Sequence, residues 1–301
     1  MAKKRIHQMT FREWEKAFPN EDACCAYLVG HRWPKGVVCP RCGATSVGKH
    51  GTMPWHWQCY ECGAPSYRFS HITGTIFENT NKPLRDWFRV LHLMLTSKKG
   101  ISALQIFRTL GFGSYKTAWY MCHRLRVGMQ DREFKKLMGI VEVDETFVGG
   151  KAKNKHIDKG RGGPGRGGTG SGKTPIVGAI RRKGNVVARV IANVKGETLR
   201  TFVREAVSTK VSLLCTDQWI GYHGLDREYP HAVIDHALGE YVVGAVHTNT
   251  IEGFWSLIKR GMIGTFHKVS PKYLPLYVAE FQFRYNNREN EDVFGEAVRG
   301  C

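Results

Sequence analysis

Two sets of residues in this chain have the types and spacing to do chemistry. Cys39-Pro40-Arg41-Cys42 and Cys59-Tyr60-Glu61-Cys62 are two Cys-x-x-Cys pairs with sixteen residues between them. Four thiolates so spaced fit one tetrahedral zinc ion and leave no coordination position open, so the expected role is folding rather than catalysis. Gly43 and Gly63 follow the pairs and let backbone amides approach the sulfurs. The second set is acidic. Val141-Glu142-Val143-Asp144-Glu145-Thr146-Phe147-Val148-Gly149-Gly150 is an apolar, β-branched run with carboxylates in its middle. Burying Asp144 in such a strand is costly unless a cation neutralises it; the other reading is a solvated face of a half-buried strand. Asp217 closes a second apolar run, Val211-Ser212-Leu213-Leu214-Cys215-Thr216-Asp217, and Glu252 follows after thirty-four intervening residues. Lys259 follows Glu252 by seven residues, about two helical turns, and so shares its helix face.

Three carboxylates can hold two magnesium or manganese ions about 3.5–4 Å apart, one activating an attacking oxygen and one stabilising a leaving oxygen. Oxygen donors suit these hard ions, and Lys259 would add a point charge beside a phosphate. Strand alternation puts Glu142 on the face of Asp144, where it could assist, and Glu145 on the opposite face, so Asp144 is the expected ligand of the pair. Asn249 lies one turn before Glu252 and could share or assist its role, as could His247. Asp226, Asp235 and Glu240 read as solvated, with Asp235 beside His236 a secondary candidate. Tyr222 and Trp219 read as core aromatics, with stacking on an unpaired base as the other reading.

These residues need elements to carry them. Residues 1–35 read as a helical lead-in from Thr10 through Phe11, Trp14, Phe18 and Leu28, in which Cys24 and Cys25 are apolar filler. Residues 36–70 should be a zinc ribbon. His50, His56 and His71 are redundant beside its four cysteines. Residues 82–130 read as three helices, the last two joined by a short turn at Gly111, in the pattern of a helix-turn-helix. Its last helix would offer Ser114, Tyr115, Lys116, His123 and Arg124 to DNA. An ordinary three-helix packing unit is the alternative. Residues 137–295 carry the acids. They hold a basic, glycine-rich loop at 151–173, whose Arg161, Arg166 and Lys173 suit backbone phosphates, as does Arg260 beyond Lys259. Ile176–Ile180 and Val186–Val194 read as strands, Leu199–Val207 as a helix and Leu274–Asn287 as the last helix.

Gly167 to Thr174 literally satisfies the phosphate-loop pattern. That loop needs a strand before it and a helix after it, whereas Pro175 and a β-type run follow here, so no nucleotide is expected.

Composition narrows the partners. Lys and Arg total 45 against 26 Asp and Glu in 301 residues, a formal charge of +19, which is the footprint of a polyanion binder. Nucleic acid leads. No apolar stretch is long enough to span a membrane, and the start Met1-Ala2-Lys3-Lys4-Arg5 lacks the apolar core of a signal peptide, so a cytoplasmic, nucleoid-associated protein is expected. Nine cysteines then call for a reducing compartment.

The order of strands and helix, with one acid on the first strand and another ending the fourth, resembles the RNase H-like fold, a mixed α/β sheet flanked by helices. The spacing from Asp217 to Glu252 is similar to that of the DDE transposases and retroviral integrases. The zinc ribbon, the helix-turn-helix, Asp-Glu-Thr-Phe-Val-Gly-Gly, Thr-Asp-Gln-Trp, the run from His247 to Gly261 and Glu280 to Arg288 together resemble the zinc-ribbon-bearing bacterial insertion-sequence transposases, the ISXO-like group. That resemblance covers about residues 20–295. It implies Asp144, Asp217 and Glu252 as the magnesium-binding triad, Lys259 as the basic partner, and cleavage at element ends followed by strand transfer into target DNA by a homo-oligomer. A non-catalytic DNA-binding regulator would share the zinc module and the charge, and an RNase H-like nuclease without strand transfer would share the acids.

Overall fold

A computed structural model describes residues 9–63, 66–131, 134–149, 172–234 and 247–301. Arg161, Arg166, Asp235, His236 and Glu240 lie outside them. The chain divides into two compact units, Met1–Gln130 with Arg288–Cys301, and Asp131–Asn287.

In the first unit, helices α1 (Phe11–Ala17) and α2 (Glu21–Arg32) start at Thr10 and Asn20, whose side chains accept from Glu13 N and Ala23 N. Those caps satisfy amide donors that have no partner inside the helix. A three-stranded antiparallel sheet follows, β1 (Val47–Lys49), β2 (His56–Cys59) and β3 (Tyr67–Ser70). Trp33, Trp57 and Phe69 form its small core together with Cys39 and Cys59. Helices α3 (Leu84–Thr96), α4 (Ala103–Leu110) and α5 (Tyr115–Gly128) come next. Gly111 ends α4 in the left-handed region at φ 66°, and Ser114 caps α5, so this short turn uses the residue least penalised there. The chain returns to this unit through α9 (Val293–Gly300), where Phe294 meets Phe88 edge to face at 5.1 Å and Phe18 at 5.6 Å.

The second unit is a five-stranded mixed sheet of order β6-β5-β4-β7-β8. Strands β4 (Ile140–Val148), β5 (Thr174–Arg181) and β6 (Val186–Val190) form an antiparallel meander, and β7 (Leu213–Asp217) and β8 (His231–Ile234) add in parallel. The parallel β8 is a strand absent from the elements expected from the sequence. Period-two alternation sorts the side chains between two cores. Val141, Val143, Val177 and Ala179 pack with Leu199, Phe202 and Val203 of α6 (Gly196–Ala206). Ile176, Ile180 and Val186 pack with α7 (Asn249–Gly261) and α8 (Leu274–Asn286) through Ile251, Phe254, Trp255, Val278 and Phe281. A sheet covered on both faces makes β4 a central strand, so any polar group on it has to find a partner. Thr174 begins β5 rather than a helix, as the rejection of a phosphate loop requires.

Candidate active site

β4 and β7 set the site. Their parallel register pairs Ile140 with Leu213 and Glu142 with Cys215; continued by two residues, it brings Asp217, the last residue of β7, beside Asp144. One oxygen from each of Asp144, Glu145 and Asp217 lies within 4.8 Å of the others. Each carboxylate is also fixed from behind. Trp255 Nε1 of α7 donates to Asp144 Oδ2 at 3.0 Å, Trp219 N donates to Asp217 Oδ1 at 3.0 Å, and the Tyr222 hydroxyl donates to Glu145 Oε2 at 2.7 Å. Trp255 can lie over the sheet because Gly178, which pairs with Asp144, has no side chain: a Cβ there would come within 2.6 Å of the indole.

Burial pushes the Asp144 carboxyl up to about 6, with the charges of Asp217 and Glu252 adding to the effect. Glu145 is pushed up to about 8, again mainly by burial, then by Asp217 and Asp144. Three clustered carboxylates with this desolvation favour a bound cation, which stabilises their ionised forms. Their chemistry fits: hard oxygen donors suit magnesium or manganese, and an octahedral ion at about 2.1 Å sets its ligand oxygens roughly 3–4 Å apart, within small side-chain rotations of this cluster.

Glu252 is exposed in the first turn of α7. Its carboxylate accepts from Thr248 Oγ1 at 3.1 Å and is close enough to raise Asp144, but it does not join the three-oxygen cluster. Asn249 is the first residue of α7 and exposed; Lys259 and Arg260 are exposed in its last turn.

Glu142 does share the face of Asp144, as alternation requires, but it is committed elsewhere. It is fully buried and accepts from Thr250 N at 2.8 Å, Ile251 N at 3.0 Å and Thr250 Oγ1 at 2.9 Å. Arg182 Nε and His247 Nδ1 lie 2.7 and 3.1 Å from its Oε1. A carboxylate at a helix N-terminus satisfies amides that have no intrahelical partner and complements the helix dipole. Glu142 and His247 therefore anchor α7 rather than reach the acid cluster.

Glu145 is the residue that alternation undervalued. Its backbone does face the opposite core, where Tyr222 sits. β7 stops level with Asp144, however, so no strand flanks Glu145 on that side and its longer side chain reaches the rim. The premature end of β7 carried the signal, and it is not visible from β4 alone. Tyr222, read as core, is buried and also donates to the site, as does the buried Trp255, whereas Trp219, also read as core, is exposed.

In the first unit, the four cysteine sulfurs lie within 4.8 Å of one another, with Cys39–Cys62, Cys42–Cys59 and Cys42–Cys62 at 3.7, 3.6 and 3.4 Å. A tetrahedron with zinc–sulfur bonds of about 2.3 Å has edges near 3.8 Å, so the cluster fits zinc. Burial pushes the Cys39 thiol up, but the amides of Cys42 and Arg41 outweigh it and bring it to about 7.

Of the expected DNA contacts, Ser114, Tyr115 and Lys116 are exposed at the start of α5. Arg124 is half-buried, donating to Glu78 O at 3.1 Å and lying over the Tyr120 ring. His123 is corrected: it is only 7% exposed, its ring 4.1 Å from that of Trp119, and burial pushes its pKa down to about 4. Trp119, one turn earlier on α5, covers it. Lys173 lies half-buried just before β5.

The family described as the ISXO2-like transposase domain matches residues 136–286, and the transposase zinc-ribbon domain matches residues 19–65. A protein of the transposable element ISH50 of Halobacterium salinarum is 30% identical over 277 residues, covering 89% of this chain and 92% of its own. No solved structure matches the chain.

Proposed function

We infer the chemistry of this chain from its family: it belongs to the ISXO2-like transposases and is the transposase of an insertion sequence. On that premise the rim of the second unit is an RNase H-like active site in which Asp144, Asp217 and Glu252 hold two magnesium or manganese ions. The observation that carries this reading is the convergence of Asp144 and Asp217 from adjacent parallel strands into one carboxylate cluster. Bound there, the ions would activate the attacking oxygen and stabilise the leaving one.

The protein groups supply position and charge. Trp255 and the Trp219 amide each hold one carboxylate oxygen in place. Lys259, two turns along α7 from Glu252, grips the DNA backbone beside the scissile phosphate, and Arg260 extends that grip. Asn249 and His247 assist at the start of α7, His247 through Glu142. Water displaces the 3′ oxygen at the element end, breaking one P–O bond as another forms. The freed 3′ hydroxyl then displaces an oxygen of a target phosphodiester in the same way.

Recognition of element ends falls to a zinc ribbon at 36–70 and a helix-turn-helix at 82–130, with α5 presenting Ser114, Tyr115, Lys116 and Arg124. The catalytic region spans about 137–295. Arg161, Arg166 and Lys173 of the 151–173 loop contact phosphates, which are read without sequence information. The working form is a homo-oligomer on DNA, in the cytoplasm at the nucleoid. No described helix is long and apolar enough to cross a membrane.

The test uses a fragment carrying the element's terminal repeats, incubated with and without magnesium. Nicked 3′ ends and joined target products are expected only with magnesium. A mobility shift without nicking would leave a DNA-binding regulator, and nicking without joining a nuclease.

A further inference from the structure

We propose that Glu145 is itself a metal ligand of this site, reaching it from the opposite face of β4 and held in place by Tyr222. The inference rests on the reading of Asp144 and Asp217 as metal ligands and extends it: the DNA-free site is Asp144, Glu145 and Asp217, and Glu252 is not needed to form it. Three observations carry it. The oxygens that approach within 4.8 Å belong to Asp144, Glu145 and Asp217. Glu252, exposed at the surface of α7, is held by Thr248 instead. Tyr222 is 1% exposed, and its hydroxyl donates to Oε2 of Glu145 at 2.7 Å. That contact fixes the direction of the carboxylate.

The arrangement is two-sided. Asp144 is oriented by an indole from the α7 side of the sheet, and Glu145 by a phenol that packs in the α6 core. Neighbouring side chains on a strand normally point apart. Here β4 runs past the end of β7, so both can turn around the same rim. Partners of this kind set the direction of a ligand's lone pairs, and their loss typically costs 10–100-fold in metal affinity. Removal of a ligand should cost at least as much.

The test is manganese binding to the full chain without DNA, read from the electron paramagnetic resonance of the free ion. Glu145→Gln is expected to weaken manganese binding by tenfold or more, and Glu145→Asp, which keeps the charge and shortens the reach, by a similar factor. Tyr222→Phe, which removes the orienting donor, should weaken it by about tenfold or more. Unchanged affinity in Glu145→Gln or Glu145→Asp would overturn the proposal. Asp144→Asn separates the two levels: if it abolishes binding while Glu145→Gln does not, only Glu145 is misassigned, and if neither matters the metal site itself is. Unchanged zinc content and thermal unfolding before manganese is added show that each variant is folded. Should Glu145→Gln fail that check, Glu145→Asp decides.

Discussion

Trp255 on α7 donates its indole N–H to Asp144 on β4 at 3.0 Å, across a gap that Gly178 keeps open. One hydrogen bond thus ties the helix carrying Glu252 and Lys259 to the strand carrying the first carboxylate. Trp255→Phe keeps the packing and removes the donor. It is expected to lower stability by about 1 kcal/mol, since a net hydrogen bond is worth roughly that, and to lower cleavage by about 10–100-fold, as loss of a ligand's orienting partner does. Gly178→Ala should do the same by displacing the ring. Chemical denaturation beside a nicking assay measures both effects.

Glu142 is the larger structural risk. Removing it takes the carboxylate away from Arg182 and uncaps α7 in a buried setting. Breaking one partner of a buried ion pair costs about 3–5 kcal/mol, so Glu142→Ala should unfold the second unit at markedly lower denaturant, with zinc content unchanged. A loss below 1 kcal/mol would mean the network does not anchor the helix.

Much of this was legible in the sequence. The cysteine pairs carry their own geometry in their spacing, and the β-branched run around Asp144 marks a central strand. Glu252 and Lys259, seven residues apart, mark one exposed face of α7. What was not legible depended on contacts between distant segments. Glu145 joins Asp217 only because β7 ends early. Glu142 is claimed by amides more than a hundred residues away. His123 is covered by Trp119, and α9 returns to the first unit through an eight-residue helix with little pattern to read.

The raised carboxyls of Asp144, about 6, and Glu145, about 8, fix a pH dependence. Folded-state values above the unfolded ones favour the protonated protein, so this contribution is full below about pH 4, where the unfolded groups titrate, and is lost as pH rises through 6 to 8. Manganese opposes the loss because it binds the ionised forms and releases protons. The rise in Tm on adding manganese should therefore be larger at pH 8 than at pH 5. An equal rise at both would show that the metal binds elsewhere.

Zinc and catalytic metal should act separately. Cys42→Ser is expected to lose zinc, unfold the three-stranded sheet and weaken DNA binding, because a structural zinc site contributes folding energy directly. Manganese affinity of the acid cluster should stay within about twofold of the parent, because its ligands lie in the other unit. Zinc analysis and manganese titration on the same sample check both.

If Asp144 and Asp217 act on DNA through a divalent metal, magnesium-dependent nicking of an element-end fragment by Asp144→Asn and Asp217→Asn reads it out. Each variant is expected to bind the fragment and retain zinc like the parent and to produce no 3′-end nick at any magnesium concentration. Nicking at the parent rate by either variant would contradict the account.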